Sequence, residues 1–137
     1  MTIESYVRPE HNMVIFVHTG RVSDDKFLTF YKSFFESDTF KPPMNLLVDL
    51  RETNSSSRSP EALLRFAELA EAKLADITAS TKVAVVAPKD LSFGLARMYE
   101  ILSDSVHWNF VVFRAMDAAL AWLGLPEDLI IRERRHD

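Results

Sequence analysis

Two stretches of the chain, Met13-Val14-Ile15-Phe16-Val17 and Val83-Ala84-Val85-Val86-Ala87, are apolar at every position. They have strand length and β-branched character, and they fall far short of a membrane span. A strand with no polar face is covered on both sides, which is the environment of a parallel sheet flanked by helices. This constraint organises the remaining segments.

Ile3 to Arg8 reads as a first strand, and Met13 to His18 as a second that Gly20 ends. The four-residue link Pro9-Glu10-His11-Asn12 is too short for a parallel crossover, so the first strand is an antiparallel edge. Ser23 is an N-cap candidate, with Asp24 and Asp25 at the positive end of the helix that follows. Phe27, Phe30, Tyr31, Phe34 and Phe35 then recur at helical spacing, and Lys41-Pro42-Pro43 closes the unit. Met44 to Leu50 is the third strand, and Asn54-Ser55-Ser56-Ser57-Arg58-Ser59 is a polar loop. Ser59-Pro60 reads as N-cap and first residue of a second helix, buried through Leu63, Phe66, Ala67, Ala70 and Leu74. Lys82 to Ala87 is the fourth strand. Pro88-Lys89-Asp90 opens a third helix whose expected buried stripe is Leu91, Leu95, Met98 and Leu102. Phe110 to Phe113 is the fifth strand, and Asp117 to Leu123 a short helix stopped by Gly124 and Pro126.

The predicted fold is therefore α/β: a mostly parallel five-stranded sheet with an antiparallel N-terminal edge strand and four helices, in the order ββαβαβαβα. One domain is expected over residues 1–126, with 127–137 a charged C-terminal tail. At 137 residues and 47% hydrophobic content, such a chain can bury a core without a metal or disulfide staple.

Three segments taken together resemble a known group. Leu47-Val48-Asp49-Leu50 leads into the Ser-rich turn, Phe93 to Glu100 lies on the third helix, and Val112 to Gly124 ends in Ala121-Trp122-Leu123-Gly124. The chain resembles the SpoIIAA-like, or STAS-like, small bacterial proteins over about Ile3 to Leu125. That resemblance implies the same fold and, for the best-known branch, antagonism of anti-sigma factors switched by phosphorylation of a Ser in an Asp-Ser-x-Gly turn. The comparable turn here is Ser55-Ser56-Ser57-Arg58-Ser59, which lacks both the Asp and the Gly. For other members the resemblance implies binding of a lipid or another apolar ligand.

The chemistry legible in the residues is sparse. The chain has no cysteine, which excludes a thiol nucleophile and Cys-ligated metals and fits a reducing, cytoplasmic setting. Met1-Thr2-Ile3-Glu4 has no signal-peptide character. The four histidines, His11, His18, His107 and His136, share no metal-ligand spacing, and Gly20, Gly94 and Gly124 form no phosphate loop. Net charge is −4, which disfavours nucleic-acid binding. No cofactor, metal or catalytic residue is expected.

The candidate binding residues lie beyond the C-terminal strand ends, where open sheets place ligands. They are Arg51, Ser55, Ser56, Ser57, Arg58, Lys89 and Ser92, an edge able to hold an anion, together with Phe93 and Arg97 on the third helix. Solvated loops, a helix cap and helix salt bridges are the more ordinary account of the same residues. The Phe-rich first helix presents an apolar arc wider than one sheet face needs, which predicts a homodimer contact or an apolar ligand. Two functions follow. The first is a non-enzymatic regulatory module that binds another protein; the second is a carrier or sensor of a small apolar or anionic ligand.

Overall fold

The computed structural model describes residues 2–40, 44–74, 81–104, 106–126 and 128–129. Five strands, β1 (Thr2–Arg8), β2 (Met13–Arg21), β3 (Asn45–Asn54), β4 (Lys82–Val86) and β5 (Asn109–Phe113), form one sheet in the order β1-β2-β3-β4-β5. β1 pairs antiparallel to β2, and every other pairing is parallel. The helices are α1 (Asp24–Phe35), α2 (Pro60–Lys73), α3 (Asp90–Leu102) and α4 (Met116–Leu123). This is the ββαβαβαβα order expected from the sequence.

Side chains alternate across each strand, so the apolar runs feed two layers at once. Val14, Phe16, Leu46, Val83 and Val85 face α1, α2 and α3. Met13, Ile15, Val17, Leu47, Ala84 and Val86 pack on the opposite face with Ala119 and Leu120 of α4. Leu129 is buried in that second layer, and its N–H donates to the Pro126 carbonyl. The packed body therefore reaches into the expected tail; residues 130–137 lie outside the described set, as does the Lys41-Pro42-Pro43 stop.

The helix ends obey their expected chemistry. The Ser23 hydroxyl accepts from the Lys26 N–H, and the Ser59 hydroxyl accepts from the Ala62 N–H with Pro60 at the first helical position. Gly124 ends α4 at φ 73°, a conformation that costs a side-chain-bearing residue energy.

Three local expectations change. Gly20 does not end β2, which continues to Arg21 with Gly20 at φ 71°. The ladder to β3 slips there: Val17 pairs with Asp49 but Thr19 with Glu52, so β3 carries one extra residue. Such a bulge reverses the alternation, and it is why both Leu50 and Thr53 face the α1–α3 side.

The buried face of α3 is also different. Ser92, Ala96 and Tyr99 are buried, while Leu91, Met98 and Leu102 are exposed. Both sets have helical spacing, and the polar one is buried because Ser92 and Tyr99 face groups on neighbouring elements rather than solvent.

Finally, the wide aromatic arc of α1 is used within the chain. Phe16 meets Phe30 and Phe34 edge-on at 6.0 and 4.8 Å, and Phe66 of α2 covers Phe27 and Tyr31 at 4.9 and 5.0 Å. The arc spans the sheet and a neighbouring helix, and Phe27, Tyr31 and Phe35 also line the cavity between them.

Candidate functional site

Beneath α1–α3 the central strands carry short side chains: Val48 on β3, and Val83 and Val85 on β4, facing Ala96 on α3. Branched and small residues at the centre of a sheet face cannot reach the helices above them, and the aromatic rings around them are too rigid to collapse inward. The result is a cavity of about 100 Å³ between the sheet and the three helices. Val48 and Leu50 are accordingly only part-buried, although helices cover that face.

One wall is a row of near-parallel rings. Phe66 stacks on Tyr31 at 5.0 Å and 27° and on Tyr99 at 4.8 Å and 19°. Phe110 and Trp108 continue the aromatic surface beyond Tyr99, at 5.3 and 6.3 Å.

The cavity has a group of polar residues at one end. At the C-terminal ends of the strands stand His18, Thr53, Ser55, Arg58 and Ser92. Each is already held. His18 Nε2 lies 2.7 Å from the Tyr31 hydroxyl, and the Thr53 hydroxyl donates to the Gly20 carbonyl at 2.9 Å. The Ser55 and Ser92 hydroxyls share one hydrogen bond of 2.7 Å between the β3–α2 loop and the first turn of α3. The Arg58 guanidinium donates to Asp24 at 2.7 Å and to the Val22 carbonyl at 3.1 Å, and lies 4.0 Å over the Phe27 ring. Burial pushes the His18 imidazole down to about 3, helped by the Arg58 charge and opposed by Asp49. His18 is therefore neutral near pH 7, and burial raises the Tyr31 phenol well beyond its usual range. Arg58 is the one charged residue among the described cavity-lining groups, and Asp24 neutralises it.

At the N-terminal ends of the strands stand Tyr99 and Trp108. Neither the Tyr99 hydroxyl nor the Trp108 indole nitrogen, both buried, has a hydrogen-bond partner among the described residues. Burial raises the Tyr99 phenol above its usual range. The Ser103 hydroxyl counters this weakly, but it donates to the Glu100 carbonyl and does not reach hydrogen-bonding geometry with Tyr99.

Of the residues singled out from the sequence, Ser55, Arg58 and Ser92 converge on the cavity. The others lie elsewhere. Arg51 forms a two-point pair with Asp49, both contacts at 3.0 Å, on the α4 side of the sheet. Ser56 is exposed, and the Ser57 hydroxyl donates to the Val22 carbonyl. Lys89 donates to the Thr53 carbonyl at 3.0 Å. Phe93 lies under the Arg114 guanidinium at 4.0 Å, and Arg97 pairs with Glu100 on the exposed side of α3. Arg51 and Arg58 are thus each paired with a carboxylate of the chain, whereas Lys89 bonds a neutral carbonyl.

Sequence reasoning missed His18, Tyr31, Phe66, Tyr99 and Trp108 as cavity residues. Only His18, a polar residue closing an apolar run, carried a visible signal. No group of His, Asp or Glu suited to a metal occurs among the described residues, and no helix among them is long and apolar enough to cross a membrane.

No family model matches the chain. No curated protein matches it either. Among solved structures it is similar to an uncharacterized protein of the DUF3478 family with a SpoIIAA-like fold from Shewanella loihica PV-4. The two share 17% identity, with 89% of this chain and 92% of the other aligned at a TM-score of 0.57. The agreement covers the sheet order, the antiparallel edge and the four helices, and the chain has the SpoIIAA-like, STAS-like fold.

Proposed function

We propose that the protein is a non-catalytic small-molecule-binding module that takes up a compact apolar compound between the sheet and α1–α3. The observation that carries this reading is the aromatic cavity itself. A void of about 100 Å³ lined mostly by carbon forfeits packing that a filled core would have, and a ligand restores it. The pairing of Arg51 with Asp49 and of Arg58 with Asp24 favours an apolar ligand over an anionic one.

Toluene is a suitable first probe. It is expected to raise the melting temperature of the wild-type protein in a concentration-dependent way, because it binds the folded state alone. Ala96→Leu fills the same space from α3. That variant is expected to be more stable than wild type by about 1 kcal/mol and insensitive to toluene. A melting temperature unmoved by toluene in the wild type counts against the reading, as does an unchanged response in Ala96→Leu. Native mass spectrometry of the purified protein tests the same point without an added probe.

One observation supports a second reading, in which the module binds another protein. Leu91, Met98, Ile101 and Leu102 of α3 are exposed, Ile101 at 74%, and Leu64 of α2 is exposed as well. Apolar residues gathered on one helix surface suit a protein contact, including one between two copies of the chain. Light scattering at high concentration is expected to give a dimer mass that Ile101→Lys returns to a monomer; a monomer mass in the wild type rejects self-association.

A further inference from the structure

β1 is the first strand in the sheet order, so among the described residues it has a neighbouring strand on one side only. An open edge is a template for pairing with another chain, and proteins blunt it with short length, proline, a bulge or charge. β1 has seven residues and no proline, and its register to β2 runs unbroken from Thr2↔Thr19 to Arg8↔Met13. Thr2, Glu4 and Ser5 are exposed, and the rest of the strand is half-buried. Of those devices only charge is present, as one acid and one base, Glu4 and Arg8.

The two charges are placed symmetrically about Tyr6. Alternation puts all three residues on one face of the sheet. Their contacts agree, because the Tyr6 hydroxyl donates to Glu4 at 3.3 Å and the Arg8 guanidinium lies 6.0 Å from the Tyr6 ring. Antiparallel pairing of two copies about a two-fold axis at Tyr6 sets Glu4 of each opposite Arg8 of the other. Ser5 then faces Val7, Tyr6 faces Tyr6, and Pro9, which has no N–H, ends the ladder. Both cross-strand charge pairs are attractive. Moving the axis by one residue separates them, and moving it by two sets Glu4 against Glu4 or Arg8 against Arg8. The charges admit one register and oppose its neighbours. In the single chain the Arg8 guanidinium donates to the Val7 carbonyl at 2.8 Å; in the pair it turns to a carboxylate, a stronger acceptor.

We infer that β1 binds β1 of a second copy of the chain, antiparallel about Tyr6, joining the two sheets edge to edge. This surface is separate from the exposed residues of α3, which packs beside β5 at the opposite edge, and it does not depend on the cavity.

Sedimentation equilibrium tests it. The wild type is expected to dimerise. Glu4→Lys and Arg8→Glu each turn both attractive pairs into repulsive ones, and each is expected to weaken the dimer about thirtyfold. Mixed in equal amounts, the two variants are expected to pair with each other as tightly as the wild type pairs with itself. In that heterodimer the introduced lysine faces the introduced glutamate, and the native Glu4–Arg8 pair is kept. A monomeric wild type at millimolar concentration overturns the inference, and so does a dimer that Glu4→Lys leaves intact. These two measurements decide the matter if Arg8→Glu fails to fold. Single variants that stay apart on mixing also overturn it. Self-association through α3 gives the opposite pattern, a dimer dissolved by Ile101→Lys and untouched by Glu4→Lys. The toluene response of the cavity is read separately and stands or falls on its own.

Discussion

Between pH 6.5 and pH 5 the protein is expected to lose about 2 kcal/mol of stability, and His18→Gln is expected to remove most of that loss. The imidazole is 4% exposed, inside the aromatic core at the end of β2. Its pKa falls from 6.5 to about 3 because burial disfavours the charged form; Arg58 adds to the effect and Asp49 opposes it. The unfolded chain takes up a proton at His18 as the pH falls through about 6.5, whereas the folded protein does not until about pH 3. The unfolded state therefore binds more protons throughout that interval, and stability falls on acidification by about 1.4 kcal/mol per pH unit. Asp24 does not contribute within the chosen window. Burial raises its pKa, but hydrogen bonds from Ser59 and Arg58 more than reverse this and hold it below 3.8, so its stabilisation is lost only at lower pH. Gln keeps a side chain able to bond Tyr31 without a titrating group. Urea unfolding at several pH values, wild type against His18→Gln, reads the slopes directly. Parallel curves for the two proteins reject His18 as the source. The polar end of the cavity therefore carries no uncompensated charge near neutral pH.

The fold was legible because its main constraint is compositional. Two wholly apolar strands need cover on both faces, and the capping residues Ser23, Ser59-Pro60 and Gly124 mark where that cover begins and ends. The phase of α3 was not legible. Leu91-Leu95-Met98-Leu102 and Ser92-Ala96-Tyr99 are both helical stripes, and the choice between them depends on Ser55 and Phe66 meeting the second one from other elements. The cavity was less legible still, because a void is a difference between available space and side-chain volume and has no periodicity. Val48 and Ala96 are ordinary core residues singly; opposed across one gap they leave room. Likewise Tyr99 and Trp108 read as packing aromatics, since an unmet hydrogen bond is a property of surroundings rather than of the residue. The polar end was partly legible, because loops after parallel strands gather at one edge, and this brought out Ser55, Arg58 and Ser92. Arg51 looked equivalent to them in sequence but sits on the α4 side with Asp49.

Asp24→Ala is expected to cost about 3 kcal/mol, more than a surface charge at a helix start would suggest. Its carboxylate, 31% exposed, accepts from the Arg58 guanidinium at 2.7 Å, the Ser59 hydroxyl at 2.8 Å and the Ser59 N–H at 3.3 Å. Ser59 in turn caps α2, so one carboxylate ties the start of α1 to the start of α2. Removing it leaves the Arg58 side chain, 10% exposed, with only the Val22 carbonyl and the Phe27 ring for company. A mostly buried guanidinium stripped of its counter-ion is the costly outcome; a pair removed together is cheaper. Arg58→Met in the Asp24→Ala background is therefore expected to recover part of the lost stability. Methionine fills the volume over Phe27 without bringing a charge. Chemical denaturation of the wild type, both single variants and the double variant gives the coupling between the two positions. A coupling near zero shows that the ion pair contributes nothing, and a loss in Asp24→Ala below about 1 kcal/mol places it with ordinary surface pairs. The same variants bear on binding. Arg58 and Ser55 close the polar end of the cavity, so a loosened clamp is expected to weaken the response to toluene in Asp24→Ala and to restore part of it in the double variant.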